Sequence, residues 1–159
     1  MSSQVIINFL HLIATVAWIG GMIFMNLILM PSQAAIAPQE RGKLVGAVAK
    51  KFSILAWISV IILLVTGIIK TPSGMMFNQD SNFGLWLTIK HVIIILMIII
   101  GLYISLGLAP KLNKLIPKSG EQPSAEFVKT QNMLKALAVV NMTFGILVLF
   151  AISMMQFNY

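Results

Sequence analysis

Two histidines lie inside long apolar runs of this sequence, where an ionisable side chain is costly. His11 lies seven residues beyond Gln4 in the first run, and His91 lies seven residues beyond Gly84 in the third run. A neutral imidazole nitrogen can bind haem iron or copper, and an ionisable residue in such a run indicates a functional site by default. We therefore predict that both histidines bind a metal.

The two rings are expected at the same depth. At 1.5 Å per helical residue, both lie roughly 10 Å below one membrane surface. Polar or small residues recur at helical spacing beside each histidine, which predicts that both rings face the inside of a helix bundle. The main hypothesis is a haem b held between His11 and His91 for electron transfer with quinol or another redox protein. The simpler hypothesis is that the two histidines only hydrogen-bond across helices.

Two lysines are placed to neutralise haem propionates. Lys70 ends the second run and Lys90 directly precedes His91, so both ammonium groups are expected near the surface where propionates would emerge. The threonines beside the imidazoles would tune the reduction potential through hydrogen bonds, and a tryptophan would pack on the macrocycle. These further predicted haem contacts are Thr15, Thr88 and Trp18.

Methionine usage supports a copper hypothesis. The chain has 11 methionines, and a thioether is a soft ligand that suits Cu(I). Met75 and Met76 lie in a connection with no core to fill, so copper held by them with His11 and His91 is the alternative to haem. A third hypothesis is a porphyrin-oxidising enzyme, which would be an oxidoreductase, or a scaffold subunit. All four carboxylates lie in connections, which disfavours an enzyme that handles protons inside the membrane.

Four apolar runs must position these residues. Three of them contain no charged residue, and the third run contains only Lys90. Each is long enough for a span of about 20 residues, and helices satisfy their own backbone groups in lipid. Inward polar residues are few on the second and fourth runs: Ser59, Thr66, Asn141 and Gln156. The sequence predicts one all-α domain, residues 1–159, an integral membrane four-helix up-and-down bundle with spans at about 4–30, 50–70, 83–109 and 133–157.

Composition and charge limit the remaining classes. With 58% hydrophobic and 9% charged residues, the chain is not an ordinary soluble domain, and the absence of cysteine excludes thiolate metal sites and disulfides. The net charge of +7 comes mostly from two connections, which indicates topology rather than nucleic-acid binding. We expect loops 31–52 and 110–135 in the cytoplasm, both termini outside a bacterial inner membrane, lipid as the main partner, and a homodimer as one oligomeric option.

Four stretches of the chain resemble the copper-resistance D (CopD) family of membrane domains: HLIATVAWIGGMIF, KFSILAWISVIILLVTGI, NFGLWLTIKHVIIILMIIIGLY and LAPKLNKL. This resemblance implies a four-helix membrane module linked to copper tolerance or uptake. The chain is also similar to the small four-helix membrane protoporphyrinogen oxidases, which implies haem b with His11 and Lys90 at that family's His and Lys positions. His91 stands where the copper family usually has an aliphatic residue, and this difference favours a second axial ligand.

Overall fold

The structure, a computed structural model, describes residues 2–71, 81–117 and 121–156. Within these ranges the chain forms helices and no strand. The four long helices are α1 (Ser3–Ala35), α2 (Pro38–Lys70), α3 (Asn82–Lys114) and α4 (Ala125–Gln156). All four are long and apolar enough to cross a membrane, which confirms the predicted all-α membrane class.

Local sequence explains where three of these helices begin. The Ser81 hydroxyl accepts a hydrogen bond from the Gly84 N–H at 3.1 Å, and the Ser124 hydroxyl accepts one from the Phe127 N–H at 3.1 Å. Each serine thus satisfies a backbone donor that has no partner within the first turn of α3 or α4. The α2 helix begins at Pro38. Proline has no backbone N–H, and its absence costs nothing here because the N–H groups of the first turn have no acceptor within the helix.

The helices extend beyond the apolar runs at their charged ends. The α2 helix begins at Pro38 rather than near residue 50, and α4 begins at Ala125 rather than near residue 133. The connections predicted at 31–52 and 110–135 are therefore largely helical, whereas the predicted limits of the membrane spans stay a prediction. Apolar content marks the part of a helix that lies in lipid. Backbone hydrogen bonding continues past it through alanine, lysine and glutamate, which are good helix formers.

Large apolar side chains are exposed along the helices. Leu12, Ile68 and Leu106 expose 63, 66 and 75% of their surface. Continuous exposed faces of this kind would be unstable in water, whereas lipid tails are as apolar as the side chains themselves. The chain is therefore an integral membrane protein that contacts the lipid bilayer.

By its internal contacts the chain divides into two compact units, which we call the N-terminal unit (Met1–Asp80) and the C-terminal unit (Ser81–Tyr159). Each unit contains one pair of long helices, and each is described by itself below. The prediction of a single four-helix domain stays a prediction.

In the N-terminal unit, α1 and α2 pack antiparallel. His11 contacts Thr66 near one end of the pair, and the Phe52 ring lies against Gly21 further along. A side chain at Gly21 would overlap this ring, so the absence of a Cβ there allows the two helices to approach closely.

In the C-terminal unit, α3 and α4 also pack antiparallel. The Trp86 ring meets the Phe150 ring edge-on with centroids 6.0 Å apart. Further along α3, the Lys111 Nζ lies 2.8 Å from a Glu126 carboxylate oxygen near the start of α4. Contacts between early α3 and late α4, and between late α3 and early α4, define the antiparallel register.

The first helix of each unit contains wide π-helical turns, whereas α2 and α4 are α-helical throughout. Two such turns, Phe24–Leu29 in α1 and Tyr103–Leu108 in α3, end two residues before Pro31 and Pro110. Proline donates no N–H, and its ring clashes with the carbonyl four residues earlier. A wider turn relieves that clash, which accounts for these two segments. A further π turn, Val16–Gly20, lies in α1.

Candidate functional site

The His11 side chain is held between α1 and α2. Its Nδ1 lies 2.7 Å from the Thr66 hydroxyl oxygen, and Thr66 is buried. The same hydroxyl lies 2.6 Å from the Ile62 carbonyl, one turn earlier on α2. The ring is thus anchored by a residue that is 55 positions away in the chain.

Gly67 of α2 borders this ring. A Cβ added at Gly67 would lie 3.9 Å from the His11 Cε1, which is ordinary van der Waals contact, so an alanine would fit beside the imidazole. The adjacent Thr66 and Gly67 therefore both lie next to the ring of His11, and Thr66 is the one that bonds it.

Thr66, which hydrogen-bonds the imidazole of His11, comes from α2, and the sequence did not predict this contact. The Thr15 hydroxyl donates to the His11 backbone carbonyl at 2.8 Å, and the Thr88 hydroxyl donates to the Gly84 carbonyl at 2.9 Å. Both threonines thus direct their protons to their own helix backbone. Contact of Thr15 and Thr88 with a cofactor stays a prediction.

A polar recess lies at the same end of the N-terminal unit as His11. It has a volume of about 290 Å³ and is lined by Gln4, Ile7, Asn8, Ile69 and Lys70. Ile7 and Asn8 belong to the turn of α1 before His11, and Lys70 lies one turn beyond Thr66 on α2. The recess therefore places an ammonium group and two side-chain amides close to the histidine end of the helix pair.

Buried sulfur and aromatic side chains lie further along α1. Trp18, Met22 and Met25 expose only 6, 4 and 8% of their surface. A second, larger recess of about 460 Å³ lies beside Gly20 and Phe52, and its lining is almost wholly apolar. Packing of Trp18 on a haem stays a prediction, and the apolar recess has no set of metal ligands.

In the C-terminal unit, His91 and Lys90 are each half-buried on α3. Asn141 of α4 is buried, with 7% of its surface exposed, and its Oδ1 has no hydrogen-bond partner among the residues that the structure describes. His11 and His91 belong to different units, so their joint ligation of one metal stays a prediction. The carboxamide of Asn141 is a polar feature of this unit for which the sequence suggested no role at the site.

Few types of side chain are available in this protein to bind a metal. Within residues 2–71, 81–117 and 121–156, no group of three or more histidine, aspartate or glutamate side chains could hold a metal ion. Met75 and Met76 lie outside the described residues. The chain contains no cysteine, so imidazole and thioether are the side-chain ligands left for a soft metal, and these suit Cu(I) better than Mg²⁺ or Ca²⁺.

Comparison with known proteins identifies the family. Residues 46–155 match the family Copper resistance protein D. An uncharacterized protein of Aquifex aeolicus (strain VF5) is 36% identical over 64 residues, which are 40% of this chain and 44% of that protein. No solved structure matches the chain. The likeness to protoporphyrinogen oxidases stays a prediction. The family match runs from within α2 to near the end of α4, which is more than half of the chain, and the chain belongs to the copper resistance protein D family.

Proposed function

We propose that this protein binds copper inside the membrane for copper tolerance or uptake, with His11 as a ligand. The single observation that carries the proposal is the 2.7 Å hydrogen bond between the His11 Nδ1 and Thr66. A histidine that binds a metal through one ring nitrogen is usually held through the other by a hydrogen bond. The family's copper-resistance description supports copper as the metal.

The remaining ligands in this proposal are His91 and the methionines Met75 and Met76. An imidazole and thioether set favours Cu(I), because both are softer ligands than carboxylate oxygens. The copper ion is the cargo of the protein, so no residue needs to act as an acid, base or nucleophile.

The proposed orientation places the His11 end of the N-terminal unit at the outer face of a bacterial inner membrane. The opposite end carries Arg41 and Lys43 near the start of α2, and the late part of α3 carries Lys111 and Lys114. Cytoplasmic ends of spans are enriched in lysine and arginine, which supports this direction. Copper would then reach the site from outside the cell.

Haem b is the second candidate, and the polar recess beside His11 favours it. The Lys70 ammonium and the amides of Gln4 and Asn8 are donors that suit a carboxylate such as a haem propionate. In this version His11 and His91 would hold the haem iron, Lys90 would neutralise a second propionate, and the electron partner would be quinol or a redox protein.

One set of variants tests copper against haem. Detergent-purified wild type is loaded with Cu(I) or expressed with ample haem, and metal content and the reduced-minus-oxidised visible spectrum are measured. We expect stoichiometric copper that is lost in His11→Ala and kept in Leu12→Ala, a change at a lipid-exposed neighbour. If the wild type instead shows narrow α and β absorption bands that His11→Ala loses, the bound group is haem and not copper. A protein that takes up neither group contradicts both versions.

A further inference from the structure

The Thr66 hydroxyl makes two short contacts that constrain where its proton lies. Its oxygen lies 2.7 Å from the His11 Nδ1 and 2.6 Å from the Ile62 carbonyl oxygen. A third contact, to the Leu63 carbonyl, is longer at 3.5 Å. A threonine hydroxyl carries one proton and can also accept, whereas a carbonyl oxygen can only accept.

Only one arrangement satisfies both short contacts. If Thr66 donated to the His11 Nδ1, its oxygen would face the Ile62 carbonyl with no proton between them. If Thr66 donates to Ile62, its oxygen is left as an acceptor, and the His11 Nδ1 must carry the proton. The second arrangement is the common bond of a helical threonine to the carbonyl four residues earlier.

Burial keeps this arrangement in place. Thr66 exposes 4% of its surface, so water has little access to replace either bond. In an apolar environment an unsatisfied polar atom is costly, which penalises the alternative proton position.

We propose that Thr66 is a positioning residue that holds His11 as the Nδ1–H tautomer and thereby makes Nε2 the nitrogen that binds the metal. The tautomer follows from the contacts of Thr66 alone, and the ligand assignment rests on the proposed copper function. In neutral imidazole the nitrogen without the proton carries the lone pair. The α2 helix therefore selects the ligating atom of α1 without itself touching the metal.

The first experiment needs no metal. Protein labelled with ¹⁵N-histidine is studied by NMR in detergent, without copper and at a pH where imidazole is neutral, with His91→Gln used to assign the two histidine signals. We expect a protonated Nδ1 and an unprotonated Nε2 for His11 in the wild type. A proton found on Nε2 of the wild-type ring overturns the inference directly, whatever the behaviour of any variant.

Three variants on α2 then test the positioning role. Thr66→Val keeps the branched shape but removes both bonds, and we expect the Nδ1–H preference to disappear and Cu(I) affinity to fall about 10–100-fold. Thr66→Ser keeps the hydroxyl and is expected to restore both. Ser59→Ala removes another buried hydroxyl of α2, which donates to the Leu55 carbonyl at 2.8 Å, and should change neither property.

The two readouts separate the inference from the proposed function. If His11→Ala abolishes copper binding while Thr66→Val leaves both tautomer and affinity unchanged, the positioning role is wrong and the copper function survives. If the tautomer is found as expected but wild type binds no copper, the copper function fails and the assignment of Nε2 as its ligand fails with it.

Discussion

The two helix pairs share a pattern on their first helices and differ on their second. In α1, His11 precedes Pro31 by 20 residues, and in α3, His91 precedes Pro110 by 19 residues, with a π turn ending just before each proline. The similarity places a half-buried histidine and a widened turn at matching positions in both units.

The described contacts across the two helix pairs differ. In the N-terminal unit α2 presents Thr66, which bonds the ring of His11. In the C-terminal unit α4 presents Phe150, whose ring meets that of Trp86, five residues before His91 on α3. The comparison teaches that the two histidines are alike in sequence position, whereas the helix pairs are joined near them by contacts of different chemistry, a hydrogen bond in one and a ring contact in the other.

The largest expected effect is on copper affinity. We predict that His11→Ala abolishes Cu(I) binding, because it removes a ligand whose orientation Thr66 fixes in advance, and that His91→Ala also weakens binding. Competition with a chromogenic Cu(I) chelator measures both. Unchanged affinity in His11→Ala would show that the hydrogen-bonded histidine is not a copper ligand.

Close packing in the N-terminal unit predicts the next effect. Gly21→Ala forces a Cβ into the Phe52 ring and should lower the free energy of unfolding by about 1–3 kcal/mol. The control is Gly20→Ala, because a Cβ at that glycine would have open space around it. Thermal unfolding in detergent compares the two variants. Similar midpoints for both would contradict the close approach of α1 and α2.

The two units also differ in the hydrogen bonding of an asparagine side chain. Asn141→Leu removes a carbonyl oxygen that has no hydrogen-bond partner among the described residues, so we expect the free energy of unfolding to rise by about 1 kcal/mol. Asn26→Leu in α1 is the matched control, because the Asn26 amide already donates to the Met22 carbonyl at 2.8 Å and its loss should bring no gain. Denaturant titration of both variants makes the comparison. Destabilisation by Asn141→Leu would reveal a partner that satisfies the oxygen.

The exposed ion pairs should contribute least. Lys111 and Glu126 join α3 to α4, and Lys43 and Glu40 lie three residues apart on α2, with all four side chains more than half exposed. Water and salt screen such pairs. We predict that Lys111→Gln and Lys43→Gln leave the unfolding midpoint unchanged at moderate salt, as measured by thermal scans. A clear loss for Lys111→Gln alone would show that the pair between helices stabilises the C-terminal unit.

Most of the secondary structure could be predicted from the residues, but the ends of the helices could not. Apolar runs predicted four helices because transfer of side chains into lipid depends on local composition. The span predicted at 50–70 did not include the helical turns from Pro38 onward, because charged residues such as Arg41 and Lys43 end an apolar run without ending the helix.

The candidate site was predictable in part. His11 was identified from its cost inside an apolar run, and Thr66 was recognised as one of few inward polar residues on α2. Their depths, counted from the same end of the helix pair, were the available signal that the two could meet. The direction of their hydrogen bond required the position of the Ile62 carbonyl as well.

The sequence by itself determined the membrane class, the four helices and the unusual placement of two histidines, because hydropathy and backbone hydrogen bonding are local properties. Only the tertiary structure decided which residue anchors His11. Much of α2 is apolar on all sides, so composition does not reveal which of its faces meets α1. That choice depends on the rotation and register of two packed helices, and it brings together residues 55 positions apart.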